Sequence, residues 1–305
     1  MNGTSDLMAS HVFCRDIALE RGEPMEGTGR IEERVLLLAW PRGYWRNPRE
    51  ASVGMSVALG EAVRKARRNN PYLILVDRVG DSENIPKLTA FPEAVSLTPA
   101  DNAELIEAIT RWGNGEPLTG TPEPRITIVC CTDSRSDACC ARFGFATYKA
   151  LIAEADPAKF NILQSSHIGG CRFATSLAVV SRRQRYARLD PEQVPDFLST
   201  IETGEIYLPA FKGRADLAEP EQVAELAALR WAAKAGSKNS AVHLGDAQAN
   251  GDMHLTYEAE IGTEKLSIAL EAKVFDMHGK CIAITRDPPK QTKRWLVRDV
   301  THLAR

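Results

Sequence analysis

Five of the chain's seven cysteines, Cys130, Cys131, Cys139, Cys140 and Cys171, fall in one stretch, and His167 stands four residues before the last of them. Thiolates and imidazoles ligate zinc and iron–sulfur centres, and a thiolate is also a nucleophile, so metal or redox chemistry is the leading use for such a group. A disulfide framework is disfavoured. The first residues, MNGTSDLMASHVFCRDIALERGE, contain no basic stretch followed by a long apolar run, and the most apolar segments elsewhere, VLLLAW and YLILV, are only strand length. The expectation is a cytoplasmic protein with reduced thiols, neither exported nor membrane-spanning.

Local sequence separates candidate ligands from fillers. Asp137 is a good N-cap, which places Cys140 in a helix's first turn, where the dipole favours a thiolate. Gly169 and Gly170 remove side-chain bulk just before Cys171, letting the backbone and its N–H groups come close. In each adjacent pair only one cysteine needs to bind, so Cys130 and Cys139 read as packing residues. Cys14 and Cys281, remote from the stretch, read as isolated core or surface thiols.

The elements that must position these residues follow from apolar periodicity. Residues 35–40 read as a buried strand, 50–68 as an amphipathic helix, 72–77 as a second strand and 104–111 as a short helix. The Gly- and Pro-rich GNGEPLTGTPEPR that follows is a connector, and the first domain boundary is placed there. Beyond it come a strand (126–131), a helix (138–155), strands at 160–164 and 176–181, a short segment at 186–189 and a helix at 194–203. A strand, crossover helix and strand favour a parallel pair, and the next two strands add as an antiparallel edge, the arrangement of a thioredoxin-like sheet. The C-terminal part carries a helix over 220–235 and four strand-like segments, LTYEAEI, LSIALEAKVF, KCIAITR and RWLVRDV. The fold class is therefore α/β, in three parts: an N-terminal α/β domain (1–122), a thioredoxin-like domain (123–212) and a C-terminal α+β region (213–305). The N-terminal third faintly echoes the plan of the middle third. In the middle domain Cys131 and Cys140 leave one parallel strand for a helix, and His167 and Cys171 leave its neighbour. Both groups meet at the carboxyl edge, where open α/β sheets place ligands. Three thiolates and one imidazole would enclose one inorganic centre there.

On these residues the chain resembles the sucrase/ferredoxin-like family, which includes thioredoxin-like [2Fe-2S] ferredoxins and the fungal actin-patch-distribution proteins. The family's C-x8-C motif matches Cys131 through Cys140 and Ala141, and its S-H-I-G-G-H/C-x-F-A motif matches Ser166 through Ala174, with Cys171 where the fungal proteins carry a second His. Weaker similarity extends to CRDIALERGEPMEGT and to KGRADLAEPEQVAELAALR. The resemblance implies a [2Fe-2S] cluster on Cys131, Cys140, His167 and Cys171, with electrons passing one at a time between a reductase and an acceptor protein. One departure concerns hydrogen bonding: many members have His-Gly two and three positions after the first ligand cysteine, and this chain has Asp133-Ser134. With three thiolates and a neutral imidazole such a cluster carries about −1 when oxidised, one unit less negative than an all-cysteine site, which favours the electron. The second nitrogen of His167 couples reduction to protonation if it reaches solvent.

Other readings stay open at the level of residues. Cys3His ligation also suits a structural zinc ion, although eight residues between the first two ligands are more than zinc modules usually have. A thiol-disulfide catalyst at Cys130 or Cys139 lacks the usual C-x-x-C. Arg172 reads as a loop-capping residue rather than a partner contact, Lys212 to Arg214 as a solvated basic turn or a docking surface, and the 220–235 helix as core. The balance of 38 Lys and Arg against 40 Asp and Glu excludes the basic footprint of a nucleic-acid binder, and 44% hydrophobic with 26% charged residues excludes extended disorder. No dinucleotide fingerprint, P-loop, HExxH or motif-supported carboxylate pair is present to add a second active site or glycoside hydrolysis.

Overall fold

The computed structural model describes residues 12–66, 72–78, 86–237 and 241–303. A short helix α1 (Cys14–Glu20) leads into a first unit of β1 (Val35–Ala39), α2 (Val57–Ala66), β2 (Tyr72–Asp77), β3 (Leu88–Phe91), β4 (Val95–Leu97) and α3 (Asn102–Gly113). After a two-residue strand β5 (Thr121–Pro122) comes a second unit. It consists of β6 (Ile126–Cys131), a helix over 138–154, β7 (Phe160–Ser165), β8 (Ser176–Val179), β9 (Gln184–Ala187), α5 (Val194–Glu202) and β10 (Phe211–Arg214). The 138–154 helix is π-helical at Cys140–Gly144 and α-helical, as α4, over Phe145–Glu154. The chain ends with α6 (Glu219–Lys234), β11 (Val242–Leu244), β12 (Gln248–Ala249), β13 (His254–Ile261), β14 (Glu264–Met277), a four-residue helix α7 (Cys281–Ile284) and β15 (Lys290–Leu303).

Ten strands form one sheet in the order β10-β9-β8-β6-β7-β2-β1-β3-β4-β5. Its centre is buried on both faces, which is why VLLLA and YLILV are continuous rather than alternating apolar runs. The echo between the first two thirds is a structural repeat. In the first unit β1 and β2 are parallel, β3 runs antiparallel beside β1 and β4 antiparallel beside β3. The second unit has the same directions in β6 with β7, β6 with β8 and β8 with β9. The two copies join through an antiparallel contact of β2 with β7, where Val76 pairs with Ser165 and Asp77 with Gln164.

A second sheet, β11-β13-β14-β15 with β12 also on β13, packs over α6. Helix α6 buries Val223, Leu226 and Leu229 as expected of core, and its alanines at 224, 227, 228 and 232 let both the second unit's core and the second sheet approach closely.

Three expectations need correction. The helix expected over 50–68 is a 3-10 turn at Arg49–Ala51 followed by α2, the two separated around Gly54 at φ +83°; residues 67 and 68 lie outside the described residues. The segment KCIAITR is not a strand: β14 pairs with β15 as far as Met277 with Lys290, and α7 lies in the connection that closes this hairpin. Its apolar alternation is misleading because Cys281 is drawn inward, its N–H donating to Asp137 Oδ2 at 2.8 Å. Lys212 to Arg214 form strand β10, with Lys212 buried, and are not a solvated turn.

Candidate metal centre

Parallel pairing sets the geometry. Cys131 ends β6 opposite Ser165, the end of β7, so the loops leaving the two strands emerge side by side. One loop runs into the 138–154 helix. Asp137 caps it, Oδ1 accepting the Cys139 N–H at 2.8 Å, and the next residue, Cys140, begins the π-helical turn. Single π-turns are frequent at functional sites because they re-aim a side chain without ending the helix. Gly144 is required there: a Cβ at this position would stand 1.9 Å from the Cys131 carbonyl oxygen. The other loop bends through Gly169 (φ +90°) and Gly170 (φ +73°), a left-handed pair that strains any other residue type, and so delivers Cys171.

Three of the four expected side chains form one close group and the fourth, Cys171, adjoins it. Ligand atoms of Cys131, Cys140 and His167 lie within 4.8 Å of one another. Cys171 Sγ stands 3.7 Å from Cys140 Sγ and 3.5 Å from His167 Nδ1. The three cysteines are each 1% exposed and His167 is partly exposed. Cys130 points to the opposite face, into the core beneath α4, where its thiol donates to the Gly144 carbonyl at 3.4 Å, as expected of a packing residue.

Most of the surrounding hydrogen bonds fix the loops, and the backbone of Asp133 also bonds the Cys131 thiol. Asp133, where the sequence departs from the motif it otherwise resembles, is buried and accepts the His167 N–H at 3.1 Å, the Ser136 hydroxyl at 2.8 Å and the Arg135 N–H at 3.2 Å. The first unit supplies the rest. Arg49 donates to the carbonyl of His167 and, at 2.8 Å, to that of Leu73; Tyr72 donates to the same His167 carbonyl at 3.2 Å. Arg42 reaches the Thr132 carbonyl at 3.1 Å, and Arg135 returns a bond to that of Trp45. These bracing residues carried no motif. Arg172 is internal, its Nε on both oxygens of buried Glu23 at 2.9 and 2.8 Å, and Arg294 of β15 joins the same carboxylate at 3.2 Å.

Electrostatics show where protons sit without a metal. The Cys140 thiol holds Cys131 well below the usual thiol range against the effect of burial, with His167 helping, and Cys171 is lowered by the same neighbours. Cys140, between two developing thiolates, is pushed well up. Burial works to lower the His167 imidazole, but its bonds to Cys131 and Cys171 outweigh that and raise it to about 10. A metal ion entering this site must therefore displace protons from Cys140 and His167, so its uptake strengthens as pH rises.

A second group was missed. Cys14, Cys139 and Cys281, expected to be packing or isolated thiols, are buried together with Asp137, their ligand atoms within 4.8 Å of one another. Nothing in the spacing signals it, since Cys14 and Cys281 are 267 residues apart. Bonding to Cys139 and Cys281, then burial, pushes the Cys14 thiol up. Burial raises Asp137.

The family described as sucrase/ferredoxin-like matches residues 30–213, well over half of the chain and including all four residues of the first group. No curated protein and no solved structure matches the chain. No helix among the described residues is long and apolar enough to cross a membrane.

Proposed function

The chain belongs to the sucrase/ferredoxin-like family, and from that premise we propose that it is a one-electron carrier holding a [2Fe-2S] cluster on Cys131, Cys140, His167 and Cys171. The observation that carries the reading is the convergence of three thiols and one imidazole from two loops at one edge of a parallel strand pair. The donor set suits the group: thiolates bind iron in such clusters, and imidazole replaces thiolate in those of higher potential. The strand order β7-β6-β8-β9, with a crossover helix between the parallel strands, supports a thioredoxin-like carrier domain. When bound, the cluster supplies a reversible one-electron change at iron. The protein's part is to exclude water from the thiolates, hold the two loops in register and leave His167 as the partly exposed ligand, the side from which a redox partner would approach. The partners would be a reductase and an acceptor protein, in the cytoplasm.

A second reading places one zinc ion on the same four residues. The favouring observation is that the ligand atoms of Cys131, Cys140 and His167 lie within 4.8 Å of one another, with Cys171 beside Cys140 and His167, a donor set that also suits one tetrahedral ion. Thiol-disulfide catalysis is not favoured, because all seven cysteines are buried. Anaerobic purification followed by iron, zinc and acid-labile sulfide analysis separates these readings. A coloured protein with two irons and two sulfides per chain, lost in Cys131→Ala, supports the cluster. A colourless protein whose zinc is lost in the same variant replaces it.

A further inference from the structure

We propose that Cys14, Asp137, Cys139 and Cys281 form a second metal site, a closed tetrahedral Cys3Asp site for a single zinc ion. The three sulfurs make a nearly equilateral triangle: Cys14 to Cys139 is 3.5 Å, Cys139 to Cys281 is 3.3 Å and Cys281 to Cys14 is 3.6 Å. Asp137 Oδ1 stands off the triangle, 3.1 Å from the Cys281 sulfur and 4.0 Å from that of Cys14. Metal–sulfur bonds of about 2.3 Å and metal–oxygen bonds of about 2.0 Å give tetrahedral edges of roughly 3.8 Å between sulfurs and 3.5 Å from sulfur to oxygen. The sulfur triangle needs an expansion of about 0.2–0.5 Å to meet them, and the Asp137 oxygen a shift of about 0.5 Å from Cys281 towards Cys14.

The surroundings are those of ligands rather than of packed thiols. Both Asp137 oxygens are held by backbone N–H groups, Oδ1 by Cys139 and Oδ2 by Cys281, each at 2.8 Å. The Cys14 N–H points at the Cys281 sulfur at 3.5 Å. Such donors orient a carboxylate and stabilise a thiolate at a metal. Asp137 is 5% exposed and, among the described residues, no Lys, Arg or His is paired with it. A buried carboxylate needs a countercharge, and a divalent cation supplies one. Three soft donors, one hard donor and no open position select a redox-inert structural ion over magnesium or calcium. A disulfide would join only two of three equivalent sulfurs.

Cys14 and Cys281 lie outside the residues matched by the family. The ion therefore fastens α1 and the tip of the β14–β15 hairpin to the start of the helix that carries Cys140, the residue next to Cys139. The test is metal analysis and zinc K-edge X-ray absorption on the full chain expressed with zinc. The expected result is one zinc per chain with three sulfurs at about 2.3 Å and one oxygen at about 2.0 Å, retained in His167→Ala and lost in Cys281→Ser. If Cys281→Ser does not fold, the wild-type absorption spectrum and Asp137→Asn, which should lose the oxygen scatterer, decide alone. A wild-type protein without zinc, or zinc with an imidazole in its shell that disappears in His167→Ala, overturns the proposal. Failure of the cluster reading is seen separately, as missing iron and sulfide.

Discussion

Replacing His167 by cysteine tests the electronic consequence of the proposed ligand set, because it exchanges a neutral donor for an anionic one and leaves the loop's anchors in place. The backbone at 167 is held independently of its side chain, by Asp133 on the N–H and by Arg49 and Tyr72 on the carbonyl. His167 Nδ1 lies 3.5 Å from the Cys171 sulfur, so a thiolate there adds its charge at ligand distance. At an effective dielectric of about 20, one extra unit of charge at 4 Å costs about 4 kcal/mol. With 1.4 kcal/mol per tenfold and about 59 mV per tenfold for one electron, that is roughly 170 mV. Two-imidazole centres, at about −150 to +300 mV against about −400 mV for plant-type sites, give about 125 to 350 mV per imidazole, which brackets the same figure. The variant should keep its colour, and its midpoint potential, from a redox titration followed by visible absorption, should fall by about 150–200 mV. An unchanged or higher potential with the cluster intact would refute the assignment of His167 as a ligand.

Other perturbations separate the scaffold from the centre. Gly144→Ala must push the 138–154 helix about 1 Å from the end of β6 to relieve a 1.9 Å contact; we expect a loss of about 1–3 kcal/mol and of first-site metal, read by denaturant titration and metal content, and normal values for both would contradict the geometry. Arg49→Met removes charge-assisted bonds to the Leu73 and His167 carbonyls, of which only the latter keeps a partner in Tyr72, so a loss of about 2–4 kcal/mol and faster metal release to a chelator should follow. Glu225, on α6, is raised to about 7 by burial, which its contact with Arg214 at 3.2 Å only partly offsets. An acid whose folded pKa is raised favours the folded state fully below its unfolded value near 4.5 and loses that contribution as pH rises through 7. Glu225→Gln should therefore be more stable than wild type above pH 7, by up to about 3 kcal/mol, with the difference vanishing below pH 4.5; stability curves that stay parallel across this range would count against a buried charge.

Much of the second unit is legible in the sequence because its signals are local. Ile126–Cys131 is a strand with the bounds its apolar run gives, the Asp137 cap acts where expected, Gly169 and Gly170 bend their loop through positive φ, and the order of elements leaves few ways to arrange four strands. The Cys14–Cys281 contact is illegible for the opposite reason. It depends on a hairpin whose β14 and β15 span 14 residues each, returning its tip to the start of the central helix, and no periodicity encodes where a hairpin's tip will land. The same long-range packing makes KCIAITR a helical turn. Nor does an isolated arginine announce that its partner will be a carbonyl 118 residues away, as Arg49's is.

The structural repeat gives the first unit a role despite its lack of ligands. Residues 35–125 contain no cysteine and no histidine, so this copy of the strand order cannot hold a centre of the same kind. What it retains is position. Because β2 pairs with β7, Tyr72 and the Arg49 turn come to lie against the loop that leaves β7, while Arg42 and Trp45 meet the loop that leaves β6. Both halves of the site are thus gripped through backbone carbonyls by a copy that has no cysteine or histidine of its own. The proposed one-electron centre would benefit from such a frame, since rigidity would then reside outside the coordinating atoms.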